Sequence, residues 1–337
     1  MKQKLVMIGN GMAGVRTLEE LLKLAPERYQ ITVFGAEPHP NYNRIMLSPV
    51  LAGQKTIDDI ILNDRNWYAE HDITLITGDP VVDIDRSKQV VTTRDGVTAE
   101  YDRLLIATGS NPLIIPVPGH DKHGVMGYRD IADVEAMLDA ASLYRKALVI
   151  GGGLLGLEAA YGLIRQGMDV TVVHLLDSLM ERQLDMTASA MLKMSLEERG
   201  MTFLMEAQTA EILGDKRVSG VRFADGDEVE ADLVVMAVGI RPNIELAKQA
   251  GLHCERGIVV NDTMQTFDPK IYSVGECVQH RNLCYGLVAP LFEQAKVAAN
   301  HLAQMGIARY EGSVTSTKLK VTGVDLFSAG EFNEGEG

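Results

Sequence analysis

Two six-residue glycine runs are the part of this chain best suited to chemistry: Gly9-Asn10-Gly11-Met12-Ala13-Gly14 and Gly151-Gly152-Gly153-Leu154-Leu155-Gly156. The spacing G-x-G-x-x-G suits a dinucleotide pyrophosphate when a strand precedes it and a helix follows. The first glycine permits the tight turn, the second lets backbone approach the phosphates, and the third lets helix pack closely on strand. The phosphates then meet a helix N-terminus, whose free N–H groups and dipole favour an anion. Both runs have this context: KLVMI precedes the first, ALVI the second, and helix-period residues follow each. Gly9, Gly11 and Gly14 are therefore candidates for one nucleotide, and Gly151, Gly153 and Gly156 for another.

A ribose needs a hydrogen-bond acceptor just beyond the second strand. Glu37 lies 23 residues after Gly14, past the strand ITVF, and its carboxylate can take the ribose diol. After the second run, the strand DVTVV ends at His174, where an acid usually stands for NAD. A neutral imidazole can still bond a 2′-hydroxyl, whereas NADP would want Arg or Lys there. Leu175-Leu176-Asp177 supply no cation, and Arg182 is further along, so NADH is favoured over NADPH.

Other redox chemistry has little to work with. Cys254, Cys277 and Cys284 form no C-x-x-C pair, which leaves zinc, iron–sulfur and thioredoxin-like sites unsupported. His39, His120, His253, His280 and His301 have no ligand spacing, so no metal is expected. Electrons must therefore move through a bound organic cofactor. The formal charge of −14 argues against nucleic acid or an anionic membrane as partner. No apolar run is long enough to span a bilayer, and the N-terminal apolar stretch reads as a strand, not a signal peptide. A cytoplasmic protein is expected.

The elements around the glycine runs set the fold class. Strand, glycine turn and helix alternate, which predicts an α/β protein with parallel sheets. The pattern occurs twice, each time ending in a strand with a glycine turn: LLIATGS at 104–110 and LVVMAVG at 233–239. Two Rossmann-like dinucleotide-binding domains follow, the second inserted into the first. The expected boundaries are 1–112 with 244–310 for one domain and 113–243 for the other. Helices are expected at 130–143, 185–199 and 290–305, and antiparallel meanders at 73–93 and 201–230. Residues 311–337 read as the start of a truncated β-rich domain, since 27 residues cannot build a core.

Four motifs in order now identify a resemblance: Gly9–Gly14, Ala107-Thr108-Gly109, the second glycine loop with Glu158, and YSVGEC at 272–277. Together they resemble the pyridine nucleotide-disulfide oxidoreductase superfamily over about residues 1–310. The resemblance implies a glutathione-reductase-like fold with FAD on the first site and NAD(P)H on the second. The redox-active cysteine pair of that superfamily is missing after the first helix. The chain looks instead like the branch of rubredoxin and ferredoxin reductases, NADH oxidases and nitrite reductases. PHPNYNRIMLSPVLAG at 38–53, GECV at 275–278 and GLVAPLFEQAKVAA at 286–299 are most similar to the flavoprotein part of bacterial assimilatory nitrite reductase large subunits. That implies hydride transfer from NAD(P)H to FAD, then electron flow to downstream iron–sulfur and sirohaem domains. The cysteine clusters such centres need are absent here, so this polypeptide alone should not reduce nitrite. Two alternatives stay open. One is a stand-alone NAD(P)H:rubredoxin or ferredoxin reductase, or an NADH oxidase, with a small electron-transfer protein as a possible partner. The other is a redox-sensing flavin module.

The resemblance also implies roles for single residues. Gly275 and Glu276 bring a carboxylate to the ribityl chain of FAD; most relatives have Asp, so Glu276 reaches one methylene further. Arg44 helps hold the flavin-side nucleotide, and Thr108 and Gly109 line the same cofactor. Pro290 and Leu291 open a helix whose positive dipole end stabilises a reduced, anionic flavin. Glu158, in the first turn of the second glycine helix, meets the nicotinamide end and is the one catalytic candidate. Gly239 lies under the adenosine half of the nicotinamide cofactor. Some relatives place a lysine beside the flavin after Leu-Ser; Pro49 follows Ser48 here, so a Lys–Glu pair is not expected.

Overall fold

The computed structural model describes residues 2–314, 316–321, 324 and 326–329. They form two compact units, one of Met1–Asn43, Ile61–Asn111 and Arg241–Thr315, the other of Arg44–Ile60, Pro112–Ile240 and Ser316–Gly337.

In the first unit, the strand Gln3–Ile8 is buried from Leu5 onward. A strand apolar on both faces belongs inside a parallel sheet covered on both sides, and this one is central. The order is Ile271–Ser273, Arg103–Ile106, Gln3–Ile8, Tyr29–Gly35, Ile73–Thr77, with every pairing parallel. The helix Met12–Leu24 buries Val15, Leu18 and Leu21 on one face. Its opposite face carries the ion pairs Arg16–Glu20 and Lys23–Glu20. The helix Val288–Leu302 shares the same core, and Tyr29 Oη donates to Leu302 O at 2.8 Å.

The second unit repeats the plan. Lys146–Ile150 is central in a parallel sheet ordered Val125–Met126, Leu233–Met236, Lys146–Ile150, Asp169–Val173, Thr202–Leu204. Each unit also carries a three-stranded antiparallel meander: Val81–Asp85, Val90–Thr93 and Thr98–Glu100 in the first, Thr209–Leu213, Gly220–Phe223 and Glu228–Glu230 in the second. The architecture is the expected α/β duplication.

Three expectations need correction. The meanders start later than 73 and 201, because Ile73–Thr77 and Thr202–Leu204 are parallel edge strands. An edge strand with one wetted face alternates like a hairpin strand, so periodicity alone cannot separate them. The expected helices are found at Ile131–Leu143, Met186–Glu197 and Val288–Leu302, so Pro290 sits at the third helical position and not the first. The chain also divides otherwise than at 112/113 and 243/244 alone. Residues 44–60 join the second unit, where the helix Leu47–Leu51 packs on the second glycine helix. Gly162 leaves room there for Leu51, whose Cγ would lie 2.6 Å from an added Cβ, and Gln166 Nε2 donates to Leu51 O at 2.7 Å. The expected 311–337 module is split: 311–314 stays with the first unit, while Ser316–Lys318 and Phe327–Ala329 pair antiparallel within the second. Residues 330–337 lie outside the described residues.

Candidate nucleotide sites

The two glycine loops are built by the same backbone contacts. Gly9 has φ +102°, and a Cβ there would lie 2.1 Å from Ala107 O. Gly151 has φ +120°, with Ala237 O at 2.4 Å from the same point. Any L side chain would collide and strain at either position. Gly9 N donates to Phe34 O and Gly151 N to Val173 O, both at 2.8 Å. The third glycines permit close packing: an added Cβ at Gly14 would touch Met7 Sδ at 2.9 Å, and at Gly156 it would lie 1.9 Å from Gly151 O. The middle glycines differ in kind, since beyond Gly11 and Gly153 there is open space.

Helix capping marks the same places. Asp130 and Asp185 cap the helices that follow them with side-chain oxygens. Gly11, Gly153 and Leu287, the N-caps of the first glycine helix, the second glycine helix (Leu154–Arg165) and Val288–Leu302, supply no side-chain cap, and no acid stands in the first turn of any of the three. These N-termini keep their N–H groups and dipole available for a ligand's negative charge. Open space over the middle glycine and an uncapped helix behind it fit a dinucleotide at both loops.

In the first unit, side chains brace the loop and bring the expected residues together. Tyr68 Oη donates to Asn10 Oδ1 at 2.7 Å, and Asn41 Nδ2 donates to Asn10 O at 3.0 Å. Glu37 lies just past its strand and accepts from Tyr42 Oη at 2.7 Å. Gly275, at φ +96°, turns so tightly against the first glycine helix that an added Cβ would sit 3.2 Å from Ala13 Cβ. Its N–H donates to the buried Gln294 Oε1 at 3.0 Å, which fixes the turn to the helix one turn beyond Pro290 and Leu291. Glu276 accepts from Ser110 Oγ at 2.8 Å, and Thr108 Oγ1 donates to Asn243 O at 2.7 Å. Gly109, at φ +68°, accepts from Asn243 N. Arg44 lies in the other unit. It belongs to the second unit, where its Nη1 donates to Arg129 O at 2.5 Å beside Asp133.

In the second unit, His174 stands just past the strand Asp169–Val173. Its ring is buried under the loop and Nδ1 accepts the Gly152 N–H at 3.1 Å. Gly152 is needed for this fit, because a Cβ there would come within 2.9 Å of His174 Cγ. Gly239, at φ +123°, faces open space and accepts from Leu113 N at 2.9 Å. Glu158 is the fifth residue of its helix, which starts at Leu154, and so opens the second turn and not the first. It is almost wholly buried, and both carboxylate oxygens are used. Oε2 accepts from Ser48 Oγ at 2.5 Å, Oε1 accepts from Lys320 N at 2.9 Å, and Lys320 Nζ lies 3.8 Å away. Tyr128 Oη donates to Ser48 Oγ at 3.1 Å. Burial pushes the Glu158 carboxyl above its usual range, and the Lys320 charge and the hydrogen bonds from Ser48 and Lys320 oppose that shift. A lysine thus meets this glutamate after all, from the far end of the sequence and not from position 49.

Sequence reasoning missed Tyr68, Asn41, Ser110, Gln294, Ser48, Tyr128 and Lys320. Each acts through a contact distant in sequence; Asn41, Ser48, Ser110 and Gln294 stand in strings already singled out, but nothing in those strings reveals the partner. All three cysteines are free thiols, and no cluster of metal-ligating side chains occurs among the described residues. No helix among them is long and apolar enough to cross a membrane.

Two parallel-sheet nucleotide folds, each with a glycine turn pinned by the carbonyl of a neighbouring strand end, define a dinucleotide-dependent oxidoreductase. Comparison with known proteins agrees: residues 3–301 match the family model described as pyridine nucleotide-disulphide oxidoreductase, and the chain belongs to that family. Its members bind FAD and NAD(P)H. More particularly, the chain is 59% identical to the nitrite reductase [NAD(P)H] of Bacillus subtilis (strain 168), covering 99% of this chain and 42% of that protein. It is 52% identical to the assimilatory nitrate reductase electron transfer subunit of the same organism, covering 99% and 44%. The chain therefore spans less than half the length of these curated relatives. Among solved structures, the covalent putidaredoxin reductase–putidaredoxin complex matches with a TM-score of 0.89 at 30% identity, covering 98% of this chain and 81% of that one.

Proposed function

We propose that the first loop holds FAD and the second NADH, and that electrons leave for an iron–sulfur or sirohaem centre in further domains or for a small electron-transfer protein. The observation that carries this reading is the pair of like cradles, each with a pinned turn, an open middle glycine and an uncapped helix. Identity of 59% and 52% to a nitrite reductase and a nitrate reductase electron transfer subunit supports a role in nitrogen assimilation. A cytoplasmic setting goes with it, as three unpaired thiols suit a reducing compartment.

FAD, when bound, would supply hydride-accepting and single-electron chemistry. The residues supply position. Backbone N–H groups beyond Gly11 and Gly153 bind the pyrophosphates. Tyr42 orients Glu37 toward a ribose diol, and Ser110 orients Glu276 toward the ribityl chain. The uncapped N-terminus of Val288–Leu302 favours negative charge on the flavin pyrimidine. Glu158, held by Ser48 and the Lys320 amide, fixes the second glycine helix to residues 44–60 and so sets the floor of the nicotinamide end.

The test is an anaerobic NADH titration of the purified flavoprotein, followed by addition of nitrite, ferredoxin or oxygen in separate runs. Bleaching by NADH with electron transfer to ferredoxin, and no nitrite consumption by this chain alone, is the expected result. Flavin that NADH fails to bleach would contradict it. A stand-alone reductase or oxidase is the second reading, supported by the likeness to the putidaredoxin reductase chain at 30% identity and a TM-score of 0.89. Rapid multiple turnover with oxygen would favour it.

A further inference from the structure

The second loop lacks the strand-end acid that reads a ribose, and the histidine in its place has one ring nitrogen already taken. With Nδ1 accepting from Gly152 N–H, the proton of the neutral ring sits on Nε2. That Nε2 is buried and makes no hydrogen bond within the protein. It lies 3.4 Å from Glu181 Oε2, an ionic distance without hydrogen-bond geometry. The chain is bent to bring this glutamate back. Met180 adopts φ +52°, uncommon for a residue other than glycine, and its N–H donates to Gly152 O at 3.1 Å. Gln183 N and Leu184 N then close on Met180 O at 2.7 and 3.0 Å. Two hydrogen bonds thus fasten His174 and Met180 to Gly152 of the glycine loop, and two more close residues 180–184 into a turn, with Glu181 beside the end of the strand. Its side chain is 33% exposed, against 10% for His174, so the carboxylate and not the imidazole can meet a ligand from solvent.

We propose that Glu181 is the residue that reads the adenosine ribose of the nicotinamide nucleotide and excludes a 2′-phosphate, with His174 as its positioning residue. This rests on the second loop holding NADH. A carboxylate accepts both hydroxyls of an adenosine ribose but faces a phosphate with like charge. The neighbouring Arg182 lies inside the same turn with its side chain exposed, so the Glu181 variants are read with Arg182 unchanged.

The experiment is calorimetric titration of the oxidised flavoprotein with NAD⁺ and with NADP⁺, for wild type, Glu181→Gln and Glu181→Arg. Oxidised nucleotides read binding without turnover, and flavin content with thermal midpoint reports folding. The wild type should bind NAD⁺ more tightly than NADP⁺ by roughly tenfold or more. Glu181→Gln should weaken NAD⁺ by about tenfold, the loss of a hydrogen bond to a charged group, and leave NADP⁺ no weaker. Glu181→Arg should reverse the preference. Equal weakening of both nucleotides in both variants, with folding intact, would make Glu181 a loop brace and overturn the assignment. An unchanged ratio would overturn it as well. If the wild type binds neither nucleotide, the second-site reading fails and this inference with it.

Discussion

The two glycine loops agree in backbone and differ in nearly every side chain that serves them. Ala107 N to Ile8 O at 2.7 Å in one unit corresponds to Ala237 N to Ile150 O at 2.8 Å in the other. Yet the first loop is braced from outside by Tyr68 and Asn41, while the second is braced from beneath by His174. The acids differ too. Glu37 and Glu276 of the first unit are half-buried and each takes a hydroxyl donor, whereas Glu158 of the second is buried with both oxygens occupied. A pyrophosphate is recognised by main chain and helix dipole, so that part can be duplicated unchanged. What distinguishes one nucleotide from another must be carried by side chains.

The largest test of the shared backbone is alanine at the first glycine of each loop. Gly9→Ala and Gly151→Ala should each cost about 3 kcal/mol or more, since positive φ and overlap with a carbonyl act together. Denaturant unfolding would measure both, and a cost under about 1 kcal/mol at either would break the equivalence. Next in size is the response to pH, where the units should move in opposite directions. In the second unit, burial and the neighbouring Asp130 raise the Asp133 carboxyl to about 6, and Glu158 shifts the same way. The native state then holds more protons than the unfolded chain between about pH 4 and 6, so stability falls as pH rises through that window. Asp133→Asn should remove about 1–2 kcal/mol of that fall, the full shift being discounted for partial exposure. In the first unit, Arg281 and His280 hold Asp262 down at about 2. Its contribution is present above the unfolded value near 4 and lost as pH falls toward 2, so Asp262→Asn should flatten the acid limb. Unfolding followed from pH 2 to 7 would check both signs. The smallest effects are single hydrogen bonds at the first site. Tyr68→Phe and Ser110→Ala should each cost about 1 kcal/mol, read as a several-fold rise in the FAD dissociation constant.

Legibility in the sequence followed the same division. Backbone roles were readable, because Gly9, Gly11 and Gly14 and their counterparts advertise a conformation that other residues cannot adopt. The α/β class and the duplicated sheets followed from strand–glycine–helix repetition. Side-chain roles were not readable where the partner is remote: Lys320 reaches Glu158 across 162 residues, and Ser110 reaches Glu276 across 166. His174 stood at the expected position, but nothing in its spacing could reveal that the loop N–H had claimed its ring. The packing of residues 44–60 was hidden for a related reason, since they sit in the middle of the first domain's sequence yet pack with the second.

The middle glycines give the most direct test of two separate sites. Gly11 and Gly153 have ordinary φ of −84° and −82° and open space beyond, so valine there should leave the fold intact while blocking a pyrophosphate. The measurement is flavin content together with NAD⁺ affinity for Gly11→Val and Gly153→Val. The account predicts that Gly11→Val loses flavin and keeps NAD⁺, and that Gly153→Val keeps flavin and loses NAD⁺. Loss of flavin from Gly153→Val with NAD⁺ binding retained, or no loss of either ligand from either variant, would contradict it.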